Sequence, residues 1–231
     1  MIYLTGDTHG DFKRIGSFCD KMNTCKKDIM IVLGDAGLNF YLDFRDKYNK
    51  DYVNNLPITF LCIHGNHEER PFNIETYNVK QWHCGKVYYE KDFPNILFAK
   101  DGEIYNLDGN KCIALGGAYS VDKYYRLSHG WPYFPSEIPT DKIINYVNKK
   151  LDSVDWSVDF VLSHTTPLKY EPREWFINGI DQSKVDKTTE IWLDSIEDKL
   201  DYKKWYCGHY HGCKTIDKLR IMFEDYITLG D

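Results

Sequence analysis

Short apolar runs, rich in β-branched and aromatic residues, recur along the chain, and each stops at a turn signal. Residues 2–5 stop at Gly6-Asp7, 29–33 at Gly34-Asp35 and 58–63 at His64-Gly65-Asn66. Further on, 160–162 stop at Ser163-His164 and 205–207 at Gly208-His209. Continuous apolar runs this short predict strands buried on both faces. Between the first three, segments 11–26 and 40–55 have helical character. Phe12, Ile15, Phe18, Cys19 and Met22 recur at spacings of three or four, which marks one face of a helix. Strand–helix–strand alternation predicts right-handed crossovers and a parallel core sheet.

The middle of the chain changes character. Segments 86–90, 95–99, 104–107 and 111–115 are short strand candidates separated by Phe93-Pro94, Asp101-Gly102 and Asp108-Gly109, the last a hairpin signal. Antiparallel pairing is expected here, and also for 219–223 and 226–229 at the end of the chain. No repeat, low-complexity segment or linker interrupts the sequence. One domain over residues 1–231 is expected, with a loop-rich insertion near 116–140.

Composition narrows the function classes. The 231 residues suffice for a real core, and 42% hydrophobic with 16% aromatic residues exclude a wholly disordered chain. Lys and Arg number 29 against 35 Asp and Glu, a net charge of −6. That balance argues against stable nucleic-acid binding through a basic face, because such binding rests on neutralising many phosphates. It leaves room for a polyanionic substrate if bound metal supplies positive charge locally. No run approaches the ~18 apolar residues of a membrane helix, and the start lacks a signal-peptide pattern. Seven cysteines, odd in number and without a C-x-x-C pair, read as reduced thiols, so the cytoplasm is the expected address and no membrane partner is expected.

The chemistry gathers at the strand ends. Asp, His and Asn appear just after all five apolar runs: Asp7 and His9, then Asp35, then Asn66 and His67, then His164, then His209 and His211. In a parallel sheet the carboxyl edge collects ligand-binding residues from distant parts of a chain. Within Asp7-Thr8-His9 and His209-Tyr210-His211, alternate side chains fall on the same side of an extended segment. The set holds enough donors for two metal ions. Carboxylate plus imidazole without thiolate suits Mn²⁺, Fe, Zn²⁺ or Ni²⁺ better than Ca²⁺.

Gly6-Asp7-Thr8-His9-Gly10, Gly34-Asp35, Gly65-Asn66-His67-Glu68, Ser163-His164 and Gly208-His209-Tyr210-His211 resemble, in order, the motif set of the calcineurin-like metallophosphoesterases. The resemblance runs from residue 6 to residue 211. It implies an α/β fold with a central β-sandwich of mixed sheets flanked by helices, in four layers αββα. It also implies two divalent metal ions, Mn²⁺ ahead of Fe, Zn²⁺ or Ni²⁺. Asp7, His9 and His211 would bind the first, Asn66, His164 and His209 the second, and Asp35 would bridge them. A hydroxide held between the metals would be the nucleophile, and His67 the general acid, oriented by Asp35 or by Glu68.

The activity implied is hydrolysis of a phosphate ester, with a phosphomonoester ahead of a phosphodiester. Substrates in view are a phosphorylated small molecule, a nucleotide or a nucleic-acid end. A phosphodiesterase or nuclease is the alternative, and a catalytically silent metal-binding scaffold the second. One departure matters: protein phosphatases of this superfamily carry Asp-Arg-Gly after the second Gly-Asp, whereas this chain reads Gly34-Asp35-Ala36-Gly37-Leu38-Asn39. Arg126, Tyr125 and Asn39 are therefore the candidates for substrate contact, Arg as a phosphate clamp and Tyr as a stacking surface. His64, His83 and His129 are expected to be core or surface residues, and Trp131, Trp175 and Phe176 packing. Gly116-Gly117 reads as a turn, and 194–201 as a solvated helix face.

Overall fold

The computed structural model describes residues 1–231. Strands β1 (Ile2–Thr5), β2 (Ile29–Val32) and β3 (Thr59–Cys62) run parallel in register. They are joined by helices α1 (Lys13–Met22) and α2 (Phe44–Asn55). Helix α1 ends where Asn23 adopts a left-handed conformation (φ 51°), and α2 starts where the Asp43 side chain accepts from the Arg45 amide. The sequence places the start of α2 earlier, near residue 40. The Asp46 carboxylate instead accepts from the Tyr41 and Leu42 amides and holds that stretch as a turn.

The first sheet continues through β6 (Ile96–Ala99), parallel to β3, and then β5 (Gly85–Tyr89) and β4 (Asn78–Trp82), both antiparallel. The second sheet is built on β7 (Ile104–Leu107) and β8 (Asn110–Leu115), the hairpin at Asp108-Gly109. Parallel strands β9 (Phe160–Ser163) and β10 (Lys204–Cys207) follow across the sheet. Helix α3 (Lys123–Ser128) and helix α4 (Asp141–Asp152) lie between β8 and β9, and helix α5 (Thr188–Glu197) precedes β10.

The chain's end departs from the expected antiparallel pair. Strand β12 (Leu219–Ile221) lies parallel to β10 and antiparallel to β11 (Lys214–Ile216), whereas β13 (Ile227–Thr228) crosses over to pair antiparallel with β1. Each sheet thus acquires an edge strand from one short C-terminal segment. Strands β6 and β8, expected to be antiparallel throughout, each have a parallel neighbour as well, and so join the two hairpin regions to the parallel cores.

Alternation along the strands builds the layers. Leu4, Ile31, Leu61 and Leu97 of the first sheet meet Tyr105, Ala114, Leu162 and Tyr206 of the second in one buried cluster. The other face of the first sheet, with Met30, Val32 and Phe60, packs on Ile15 and Cys19 of α1 and Val53 of α2. The outer face of the second, with Ile113, Val161 and Trp205, packs on Val147 of α4 and on Leu193 and Ile196 of α5. The architecture is helix, sheet, sheet, helix, as a β-sandwich of mixed sheets flanked by helices requires. Burying a residue such as Ile15 contributes on the order of 1.5–3 kcal/mol. No helix is long and apolar enough to cross a membrane.

Candidate metal centre

Each strand-to-loop turn delivers its polar residues to one end of the sandwich. The turn after β1 is tied to the turn after β2, since the Thr8 and His9 amides both donate to the Asp35 carbonyl (3.2 and 2.8 Å). His9, Asp35, His209 and His211 all hold left-handed backbone, with φ of 45°, 47°, 70° and 49°. Non-glycine residues rarely adopt that conformation, and it clusters at functional sites. At Gly65 a Cβ would fall on the carboxylate and amide of Asp35, so this approach admits only glycine.

The donor atoms converge. Asp7 Oδ2 lies 3.3 Å from His211 Nε2 and 3.7 Å from His9 Nε2, and those two imidazole nitrogens are 2.9 Å apart. Asp35 Oδ2 lies 3.9 Å from His9 Nε2 and 3.6 Å from His164 Nε2, and so reaches toward both groups. His164 Nε2 is 2.7 Å from Asn66 Oδ1, and the His209 ring stands 4.9 Å from the His164 ring. The remaining oxygens are anchored by the backbone: the His209 amide donates to Asp7 Oδ1 and the His67 amide to Asp35 Oδ1, each at 2.8 Å.

This set fits divalent metal. Asp7 Oδ2 is buried without a hydrogen-bond partner, and an orphaned carboxylate oxygen there is costly unless a cation meets it. His164 Nδ1 faces the Leu33 carbonyl at 2.9 Å and so donates to it, which turns the Nε2 lone pair toward Asn66 Oδ1. Asn66 Nδ2 is spent on Ser120 Oγ, so two acceptors face each other across 2.7 Å. Protonation states agree. Burial raises the Asp7 carboxyl, but the neighbouring His211, His164 and His9 rings outweigh it and leave it below the usual range. For Asp35 burial is likewise outweighed, by His164, His67 and His9. Burial pushes His209 down to about 3, keeping its ring neutral. The Asp7 carboxylate beside it raises His211.

His67 stands beside this cluster. Its Nδ1 is 3.3 Å from Arg126 Nη1 and its Nε2 3.7 Å from Asp122 Oδ2. Burial lowers its pKa, with Asp35 and Asp122 pulling the other way. Asp35 touches His67 only through the backbone amide. Glu68 does not orient the ring either: its carboxylate accepts from the Gly65 amide at 3.0 Å, and burial pushes its pKa up to about 8.

The three expected substrate contacts fare differently. Arg126 is fully buried, ion-paired with Glu137 and donating to Ser120 Oγ at 3.1 Å, so it grips the loop behind His67 rather than an open surface. Asn39 is also fully buried, its carboxamide oxygen taken by the Tyr77 hydroxyl at 2.9 Å. Tyr125 is exposed and stacked on His129 at 4.0 Å. Neither Tyr125 nor Asn39 lines the cavity over the cluster. That cavity, of about 770 Å³, is bordered by His9, Asp35, Asn66, His67, His209 and His211. Trp175 and Phe176, expected only to pack, line it as well, together with Tyr210 and Glu190.

Ser120, Asp122, Glu137 and Glu190 escaped sequence reasoning. The first three sit in the segment expected to be a loop-rich insertion, which instead carries α3 and buries Arg126 and Glu137 against the site.

The family model for calcineurin-like phosphoesterases matches residues 1–213. No curated protein matches the chain. A phosphopantetheinyl hydrolase from Mycobacterium tuberculosis is among the similar solved structures, 13% identical, with a TM-score of 0.48 over 96% of this chain and 87% of that one. A second solved structure is 13% identical, with a TM-score of 0.49 over 96% of this chain and 88% of its own.

Proposed function

The chain belongs to the calcineurin-like phosphoesterase family and is a metal-dependent phosphoester hydrolase, and from that premise we propose that it cleaves a phosphomonoester at a dinuclear centre filled by Mn²⁺, with His67 as general acid. Asp7, His9 and His211 would hold one ion, Asn66, His164 and His209 the other, and Asp35 would serve both. When bound, such ions neutralise phosphoryl oxygens and acidify the attacking water. The chain's own residues do the rest. His67 Nε2 faces Asp122, and from that edge the ring would give a proton to the leaving oxygen, burial lowering its pKa and the carboxylates of Asp35 and Asp122 opposing that. Ser120 holds the Asn66 amide, and so aims Asn66 Oδ1 at the cluster.

The observation that carries this reading is the unpartnered, buried Asp7 Oδ2 with two imidazole nitrogens turned toward it. The test is turnover of 4-nitrophenyl phosphate and bis(4-nitrophenyl) phosphate by EDTA-treated protein given Mn²⁺. Restored activity that favours the monoester supports the proposal, and Asp35→Asn should lose both the activity and the Mn²⁺-induced rise in Tm. Faster use of the diester, or activity indifferent to EDTA, overturns it.

A further inference from the structure

We propose that the aromatic part of the cavity lining, beside His209 and His211, is a subsite for the leaving group of the ester, shaped for an aromatic alcohol that carries a hydrogen-bond-donating amine, and that Glu190 reads that amine. The inference rests on the phosphomonoester reading and specifies the alcohol.

The wall is apolar and aromatic close to the metal ligands. Tyr210 adjoins His209, with ring centroids 4.9 Å apart, and Phe176 lies nearly parallel to Tyr210 at 6.4 Å and 18°. A Cβ at Gly212 would meet the Trp175 ring at 2.7 Å, so the glycine lets that ring close on the loop bearing His211. A flat ring on the leaving oxygen finds matching surfaces here.

Glu190 supplies the polar feature. It is 4% exposed and lines the cavity. Thr165 Oγ1 donates to its Oε1 at 2.9 Å, whereas its Oε2 is buried with no partner. A buried acceptor left unpaired beside a cavity is a position a ligand donor can satisfy. Thr165 directly follows His164, so the carboxylate is anchored to the metal loop itself.

Charge away from the metal ligands disfavours the alternative leaving groups. Lys187 is the only lysine or arginine lining the cavity, and its ammonium is engaged by Glu171 at 2.6 Å and lies 4.7 Å from the centre of the Phe176 ring. Asp122 and Asp186 add negative charge to the same lining. A polyphosphate or nucleic-acid tail would meet carboxylates, and an amine would be attracted.

The experiment compares tyramine phosphate with 4-ethylphenyl phosphate, aryl esters that differ at the amine. The expected KM for the tyramine ester is about tenfold lower, the scale of one charge-assisted hydrogen bond. In Glu190→Gln that ratio should fall toward one, and Phe176→Ala should raise both KM values. Equal KM values in the native protein, or a ratio that Glu190→Gln leaves unchanged, overturn the subsite. Should neither ester be hydrolysed, the phosphomonoester reading fails, and the subsite is judged separately. Saturation-transfer NMR of tyramine with EDTA-treated protein then decides: a signal lost in Glu190→Gln upholds the subsite, and no signal in the native protein overturns it.

Discussion

Arg126 Nη1 lies 3.3 Å from His67 Nδ1, at the end of a guanidinium that is itself fully buried. A guanidinium has only donors, so Nδ1 accepts in this arrangement and the ring proton sits on Nε2. That nitrogen faces Asp122. In the proposed reaction Arg126 would thus be a positioning residue, fixing which edge of His67 meets the substrate.

Replacing Arg126 with Gln should lower kcat by about 10-fold to 100-fold, the cost of a loosened catalytic group. KM should move much less. Arg126→Lys should rescue little, because one ammonium cannot serve Glu137, Ser120 and His67 together. Thermal unfolding should register about 3–5 kcal/mol lost in Arg126→Gln, since Glu137 is left buried and unpaired. A variant with native kcat would show that the guanidinium does not position the ring.

His67 itself should matter in proportion to the leaving group. His67→Asn should slow esters of poorly acidic alcohols by about 10²–10⁴-fold and 4-nitrophenyl phosphate far less, because nitrophenolate departs without a proton. The check is kcat across a series of phenols of increasing pKa. The slope against phenol pKa should steepen in the variant, and parallel slopes would remove His67 from the proton-donor role.

The candidate ligand residues were legible as a cluster because each follows an apolar run that stops abruptly at Gly-Asp, Gly-Asn-His, Ser-His or Gly-His, and buried parallel strands end at one edge. The outer strands were not. Strand β4 reads Asn-Val-Lys-Gln-Trp and β11 Lys-Thr-Ile, polar edge sequences without an apolar run. The pairing of β12 and β13 with different sheets depends on which edges lie open, which only the assembled sandwich decides. Ser120 and Glu137, and the buried role of Arg126, were illegible for another reason. A polar or charged residue in a loop reads as solvated, and only the folded loop reveals that these three satisfy one another beside Asn66 and His67. Nothing in the sequence sets Glu190 apart from the other acidic residues, and its burial follows from its place in the first turn of α5, against Thr165.

Gly65→Ala tests the close packing beneath the cluster. The added methyl would fall on the Asp35 carboxylate and amide, neither of which can retreat without breaking the bond from the His67 amide. Hydrolysis should drop by at least about 100-fold, because a small misplacement of a catalytic group is enough for such a loss. The stabilisation on adding Mn²⁺, about 2.7 kcal/mol for the native protein at a hundred times Kd and read as a rise in Tm, should shrink or vanish. Activity and a metal-dependent Tm both at native levels would mean that the turn tolerates a side chain after all.

Glu190 makes stability depend on pH in a direction opposite to an ordinary surface carboxylate. Burial pushes its pKa up from 4.5 to about 7, opposed by its bond from Thr165 and the charge of Lys187. A carboxyl whose folded pKa lies above the unfolded value binds its proton more tightly when folded. Its contribution is therefore complete below about pH 4.5 and is lost as pH rises through about 7. Glu190→Gln keeps an oxygen for Thr165 and removes the titration. The stability of Glu190→Gln relative to the native protein should accordingly rise between pH 5 and pH 8, by up to about 3 kcal/mol. The comparison is made by urea unfolding in EDTA, and the difference between the two proteins isolates Glu190 from Glu68 and Glu137, which burial raises in the same sense. A difference that stays flat with pH would place the Glu190 carboxyl in contact with water, and one that falls would mean a cation holds it ionised.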